Sequence, residues 1–425
     1  MPPWVSIQLS ERLRLNSNPA NPPPQVAQEV TRILDAVIDE YEADKSIIFR
    51  DDKERKKYLY GALDDAAATW KRTRRCMVPS CSGKSVPRSH AVPRGMLASK
   101  VGEAGHVLAP HRDRKNGGQL ALERVGLSDA STFPGFCSAH ELLFESFENA
   151  KNVNSEAELL LQAYRTACRE LFRTAFWIDK ATRQLQAFQQ LRDERLAERV
   201  QSLLHTAGLQ EVKVGQLQIQ DDPMVTRWER PLKGLRELHD HLKATLVPAL
   251  ESAVFSADTS GLSIHATNLD VDLPVALSGA ASVPRFTPEQ NSLLHILMGV
   301  LPHNTGTLTF IVGTAADHAE LDLYEKRWMQ NALEYLSMIE SWMINGSDQW
   351  YLRPSVWNKL GKHRQDLILA EISDCARSIR EEAEQAIFDD VRLNFLAAFE
   401  AEHATRTDAH FLDYLQKHRS KIGSP

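Results

Sequence analysis

Cysteine is scarce in this chain, five residues in 425, and the count is odd. That argues against a framework of paired disulfides and makes clustered cysteines candidates for metal binding or catalysis. No apolar run approaches the roughly 20 residues needed to cross a bilayer, so a membrane-spanning protein is excluded. Internal repeats and long low-complexity tracts are also missing, which removes the solenoid and disordered classes. A nucleotide-binding G-x4-G-K-S loop is absent as well. In CSGKS, residues 81–85, its first glycine would have to stand at Val78, and an NTPase is rejected. The opening stretch MPPWVSIQLSERLRLNSNPANPPPQ has neither the basic start nor the continuous apolar segment of a secretory signal, so a cytoplasmic location is expected.

What is present is an ordinary globular composition, 43% hydrophobic and 25% charged, in a chain long enough for two or three domains. The charge is unevenly placed. Residues 71–115 hold eleven Lys and Arg against only Glu103 and Asp113, whereas the whole chain has a formal charge of −6. A basic island in an acidic protein points to an anionic partner, and nucleic acid is the natural one. Arg74, Arg75, Arg88 and Arg94 are the expected phosphate contacts. A solvated loop paired with acidic neighbours is the competing reading.

The pattern along the chain predicts an α+β, multidomain architecture. Residues 1–70 read as an irregular arm followed by a helix that starts near Pro24, with Val30, Ile33, Leu34, Val37 and Tyr41 at helical spacing. Residues 71–150 are rich in Gly, Pro, Ser, Arg and His with only short apolar runs, as expected where a bound ion replaces a core. Residues 151–208 read as one long helical connection. It opens on the capping box Ser155–Glu158, closes at Gly208 and, if unbroken, spans on the order of 75 Å.

Residues 209–320 form a mixed strand-rich domain in this reading, with strands at VKVGQLQIQ, AVFSAD, GLSIHATNLDV and TLTFIVGT and helical spacing in PEQNSLLHILMGVL. Residues 321–425 are a helical C-terminal domain, with Asn345-Gly346 as a stop between two helical stretches. A protein partner or self-association through the helical segments is also open.

Chemistry concentrates in CMVPSCSGKSVPRSHAVPRG, residues 76–95, and FCSAH, residues 136–140. Cys76 and Cys81 form C-x4-C, and Cys137 and His140 form C-x2-H. Two close pairs from separate turns suit the tetrahedral coordination of Zn2+, which makes these four residues the expected structural zinc site. Buried cysteines beside a satisfied histidine are the alternative. The 55 residues between the pairs exceed the usual finger spacing, so the site belongs to a module with an insertion.

Between the pairs lies Ser89-His90-Ala91-Val92-Pro93. A histidine ahead of V-x-P or I-x-P, set between two zinc knuckles, resembles the ββα-metal fold of HNH nucleases, over roughly residues 72–148. The resemblance implies that His90 is a general base activating water, with Mg2+ or Mn2+ at the phosphate. It also departs from that pattern. The metal-binding residue before the histidine is Ser89 here, the expected asparagine is replaced by Ser131-Thr132, and the position after the second knuckle is Glu141, whose carboxylate is the candidate substitute ligand. His106 and His111 are weaker substitutes.

Two functions therefore stand: a metal-dependent endonuclease acting on DNA or RNA, and a non-catalytic, treble-clef zinc module that binds nucleic acid or protein. The wider layout, carried by CMVPSCSGKSVPRSHAVPRG, ASTFPGFCSAHELLFESFE, AYRTACREL and SWMINGSDQWYLRPSVW, is similar to a group of bacterial proteins, some encoded near mobile elements or phage-defence genes. Other signals have plain explanations. His239 and His241 flank Asp240 on different helical faces and read as exposed helix, Trp342, Trp350 and Trp357 read as packing residues, and Cys168 and Cys375 as core thiols.

Overall fold

The computed structural model describes residues 23–113, 118–214, 217, 219, 222–287, 292–374 and 378–422. In chain order the helices are α1 (Pro24–Ala43), α2 (Asp52–Thr69), α3 (Arg94–Met96), α4 (Ser138–Glu141), α5 (Glu145–Ala150), α6 (Glu156–Thr206), α7 (Pro223–His241) and α8 (Val247–Ser256). They continue as α9 (His318–Trp328), α10 (Ala332–Ser341), α11 (Pro354–Lys359), α12 (Lys362–Ser373), α13 (Asp389–Glu402) and α14 (Ala409–Ser420). The strands are β1 (Ser89–His90), β2 (His106–Asp113), β3 (Gln119–Gly126), β4 (Thr132–Phe133), β5 (Leu262–Leu269), β6 (Val275–Pro284), β7 (Leu293–His303), β8 (Gly306–Thr314) and β9 (Trp350–Leu352). The class is α+β, and among the described residues no helix is long and apolar enough to cross a membrane.

The chain divides into two compact units, Met1–Ala68 with Phe176–Leu235, and Thr69–Ala175 with Arg236–Pro425. The first is helical. Ile33, Leu34, Val37 and Tyr41 of α1 line one face, as their spacing predicts, and pack with Leu185, Phe188, Leu196, Val200 and Leu204 from the later part of α6. Within that core the Tyr41 hydroxyl donates to Asp222 Oδ2 at 2.8 Å, and Arg192 Nη1 donates to the same oxygen at 2.8 Å. The described residues of VKVGQLQIQ carry no strand.

The second unit is built on a seven-stranded antiparallel sheet of order β3-β2-β9-β6-β7-β8-β5. Its central strands β6 and β7 are buried on both faces along nearly their whole length, so their sequences lack a regular polar–apolar alternation. This explains two departures from the sequence reading. PEQNSLLHILMGVL contains β7, because a strand covered on both sides loses the period-two signal. AVFSAD, by contrast, starts within α8, which ends at Ala257 in the left-handed conformation.

The β2–β3 hairpin comes from the Cys- and Arg-rich segment yet joins the same sheet as β5–β8, through the pairing of Leu108 with Leu352. Residues 71–150 and the later strands thus share one core. Trp342 and Trp350 are fully buried in it, and Trp357 is nearly so. The region from 378 to 388, expected to be helical, is irregular.

α6 is one continuous helix of 51 residues, about 76 Å at 1.5 Å per residue. At its start the amide of Glu158 donates to Ser155 Oγ at 3.3 Å, while Glu158 Oε2 reaches back to the amide of Asn154 at 2.7 Å. At its end Gly208 takes a φ of +80°, which only glycine adopts without strain. Its first part supports the Cys-rich segment, where Gln162 Nε2 donates to the carbonyl of Ala91 at 2.8 Å.

Candidate metal centre and its basic rim

A short antiparallel pairing presents the first two cysteines. Arg75 faces Lys84, the amide of Ser85 donates to the carbonyl of Arg74 at 2.7 Å, and the amide of Cys76 donates to that of Gly83 at 2.8 Å. The turn between them closes with the amide of Cys81 on the carbonyl of Val78, and Ser80 takes a φ of +61°. The second pair sits at a helix start. Cys137 precedes α4, and its carbonyl accepts from the amides of His140 and Glu141 at 2.9 Å each. Two backbone bonds clamp the halves together, Met77 N to Gly135 O at 3.0 Å and Val86 N to Phe136 O at 2.7 Å.

The four side chains converge. Cys76 Sγ lies 3.3 Å and Cys137 Sγ 3.4 Å from His140 Nδ1, Cys81 Sγ lies 3.9 Å from Cys137 Sγ, and all the ligand atoms fall within 4.8 Å of one another. A tetrahedron with metal–sulfur bonds of about 2.3 Å and a metal–nitrogen bond of about 2.0 Å has edges of roughly 3.5–3.8 Å. The observed spacings match such a shell, and three thiols with one imidazole form a donor set that can hold a metal such as zinc.

Backbone amides point at two of the sulfurs. The amide of Cys137 donates to Cys76 Sγ at 3.3 Å and that of Gly83 to Cys81 Sγ at 3.4 Å. The amide of His140 lowers the pKa of the Cys137 thiol, whereas burial raises that of Cys76. A Cβ at Gly83 would stand 3.2 Å from Cys137 Cβ and 3.4 Å from both sulfurs, so the glycine leaves room for the cluster.

His90 lies on β1, opposite Thr132 of β4. Its Nδ1 is 3.0 Å from the carbonyl of Ala130, which can only accept, so the neutral ring carries its proton there and leaves Nε2 as a lone pair. Burial, then the charge of Arg165, lowers its pKa and keeps it neutral near pH 7. Ser89 is fully buried, and its hydroxyl accepts from the amide of Phe136 at 3.0 Å.

Glu141 is ion-paired. Arg165, with a side chain 1% exposed, donates to Glu141 Oε2 at 3.1 Å and to Glu148 Oε1 at 2.5 Å, and it covers the ring of Phe144 at 4.3 Å. Burial raises the pKa of Glu141 and the Arg165 charge opposes that rise. Among the described residues Glu141 Oε1 is buried without a well-formed hydrogen bond, and the nearby Ser89 hydroxyl also opposes the rise. Among the described residues no set of three ligating side chains forms around His90 and Glu141. His106 Nδ1 faces the carbonyl of Ala104 at 2.8 Å, and His111 lies 3.6 Å from Glu123 on the β2–β3 hairpin. Neither joins a ligating set among the described residues.

The remaining signals resolve as packing. His239 contacts Thr174 Oγ1 at 3.0 Å and His241 lies beside the ring of His295 with centroids 4.6 Å apart, so both are more enclosed than an exposed helix face would make them. Cys168 is fully buried, and Cys375 lies outside the described residues.

Against the thiol cluster lies an open concavity of about 550 Å3 lined by Thr73, Arg74, Arg75, Ser82, Gly83 and Lys84. Arg75 Nε donates to the carbonyl of Cys81 at 2.9 Å, and Arg74 lies over the ring of Phe172 at 5.2 Å. Among the described residues Arg75 and Lys84 have no carboxylate partner. Arg88 differs, because Asp129 takes it at 3.3 Å and takes Lys71 at 2.5 Å. Arg94 is exposed at the start of α3 and contributes to lowering the His90 pKa.

The sequence reading did not single out Arg165, whose role shows only when Glu141, Glu148 and His90 are brought to one place. It counted Lys84 in the basic island without naming it as a phosphate contact. Comparison with protein-family models, curated proteins and solved structures gives no match for this chain.

Proposed function

We propose that residues 71–150 form a zinc-held module that binds the phosphate backbone of nucleic acid. The observation that carries this reading is the pair Arg75 and Lys84, which line the concavity beside the thiol cluster and, among the described residues, have no carboxylate to neutralise them. Zinc is the metal favoured by three thiolates and one imidazole in a closed tetrahedral shell. The ion fixes the knuckle from which both cations project, so metal and binding surface are mechanically one feature. The acidic remainder of the chain limits indiscriminate adhesion, and attraction to phosphates is released as salt rises. The test is binding of a labelled duplex to the wild type and to Arg75→Glu/Lys84→Glu across a salt series, the reversal weakening binding.

Phosphodiester hydrolysis is the second reading, favoured by His90, whose bond to Ala130 leaves Nε2 free to take a proton. It fits the HNH resemblance, with a role in bacterial defence as its setting. The pairing of Glu141 with Arg165 is why it ranks second: a carboxylate already neutralised by a buried guanidinium is a poor ligand for Mg2+ or Mn2+. Cleavage of DNA in the presence of Mn2+ that disappears in His90→Ala, with zinc content and DNA affinity unchanged, would restore it to first place.

A further inference from the structure

A second cluster of ligating side chains lies on the other edge of the sheet from the β2–β3 hairpin. Strand β5 is the last strand of the sheet, and residues two apart on it share a face, which places Ser263 beside His265. Helix α9 follows β8, the partner of β5, and presents His318 and Asp322 one turn apart. His265 Nε2 lies 3.6 Å from Asp322 Oδ1, and His318 Nε2 lies 3.7 Å from Asp322 Oδ2. The two imidazoles lie nearly parallel, with centroids 5.9 Å apart.

The hydrogen bonds behind the rings decide what faces the carboxylate. His265 Nδ1 lies 2.6 Å from Glu325 Oε2, and a carboxylate can only accept, so Nδ1 holds the proton. His318 Nδ1 is 2.9 Å from Ser263 Oγ and is satisfied as the donor; the same hydroxyl lies 3.2 Å from His265 Nε2. The Ser263 hydroxyl then donates to His265 Nε2, and His318 Nε2 keeps its lone pair on the side of Asp322. One ligand atom from each of His265, His318 and Asp322 lies within 4.8 Å of the others, a spacing that ligands of a single cation share, and a cation there would displace the weak Ser263 contact to His265 Nε2. The backing of His265 by Glu325 is also the outer support that metal-bound imidazoles use, a carboxylate fixing the tautomer and raising ligand basicity.

We propose that His265, His318 and Asp322 bind a divalent first-row transition ion, Zn2+ or a close neighbour, with Glu325 and Ser263 positioning the imidazoles. The His318 side chain is 63% exposed and that of Asp322 34% exposed, so the metal has positions open to water or ligand, unlike the closed thiol shell. This site is independent of the reading of residues 71–150.

The test is zinc content of the full chain after dialysis against micromolar free Zn2+, comparing wild type with His318→Ala and Asp322→Asn. Both substitutions lie on an exposed helix face, and a thermal melt of each variant verifies its fold. The proposal expects each variant to hold one equivalent fewer than wild type, with Cys81→Ser losing a different equivalent. Glu325→Gln should retain the site but weaken its affinity by roughly 10–100-fold. Equal zinc content in wild type, His318→Ala and Asp322→Asn would overturn the proposal.

Discussion

Cys81 and Cys137 stand 56 positions apart in the chain, yet their sulfurs lie 3.9 Å from each other. The bonds of Met77 to Gly135 and of Val86 to Phe136, with the pairing of β1 and β4, hold the two halves in register, and the two sulfurs belong to free cysteines that a bound ion would join. A metal at the cluster therefore contributes directly to folding. Purified protein should carry zinc at this shell, and Cys81→Ser or Cys137→Ser should lose it. Residues 71–150 should then become protease-sensitive, as limited proteolysis with mass spectrometry would register. His90→Ala should retain the metal, because His90 contacts a carbonyl rather than the thiols. Full metal content in both cysteine variants would refute the shell.

Acid should weaken the second unit through His295. Burial, reinforced by the neighbouring His241, depresses its pKa to about 4, against about 6.5 in an unfolded chain. A depressed folded value means that stability is fully present above about pH 6.5 and is lost as pH falls toward 4, because the unfolded chain binds the proton first. The loss should be on the order of 3 kcal/mol. Urea titrations at a series of pH values should show a flatter profile over this window for His295→Gln, which can keep a hydrogen bond to Ser282.

The C-terminal helices hold a buried ion pair between Arg392 of α13 and Glu340 of α10, with side chains 0% and 1% exposed. Glu340 also accepts from the amides of Ile387 and Phe388, at 2.8 and 3.1 Å. Arg392→Met leaves that carboxylate buried without its cation and should cost about 3–5 kcal/mol. Arg392→Met/Glu340→Gln should recover part of it, and a double-mutant cycle by chemical denaturation measures the difference. A loss under 1 kcal/mol in the single variant would show that the pair is not coupled.

The sequence made some of this legible for definite reasons. Ile33, Leu34, Val37 and Tyr41 announced α1 because one apolar face repeats every helical turn, and Gly208 announced the end of α6 because it needs a positive φ. The convergence of Cys76, Cys81, Cys137 and His140 followed from donor chemistry and spacing. Strand β7 was hidden because burial on both faces leaves no alternation to read. The joining of β2 to β9 was hidden too, since one pairing between residues 108 and 352 leaves no local trace. The same holds for His265 with His318 and Asp322, which topology alone brings together, and for Arg165, whose neutralisation of Glu141 is a tertiary event.

The central claim is that the zinc-held knuckle meets phosphates through Arg75 and Lys84. Fluorescence anisotropy of a labelled duplex, titrated with the full-length protein from about 50 to 200 mM salt, tests it most directly. The account predicts that log affinity falls linearly with log salt, and that Arg75→Glu/Lys84→Glu weakens binding and shallows the slope by about two phosphate contacts. Zinc content of the reversed variant should be unchanged. Binding that is absent at low salt, flat across the series, or equal in wild type and the reversed variant would contradict the account.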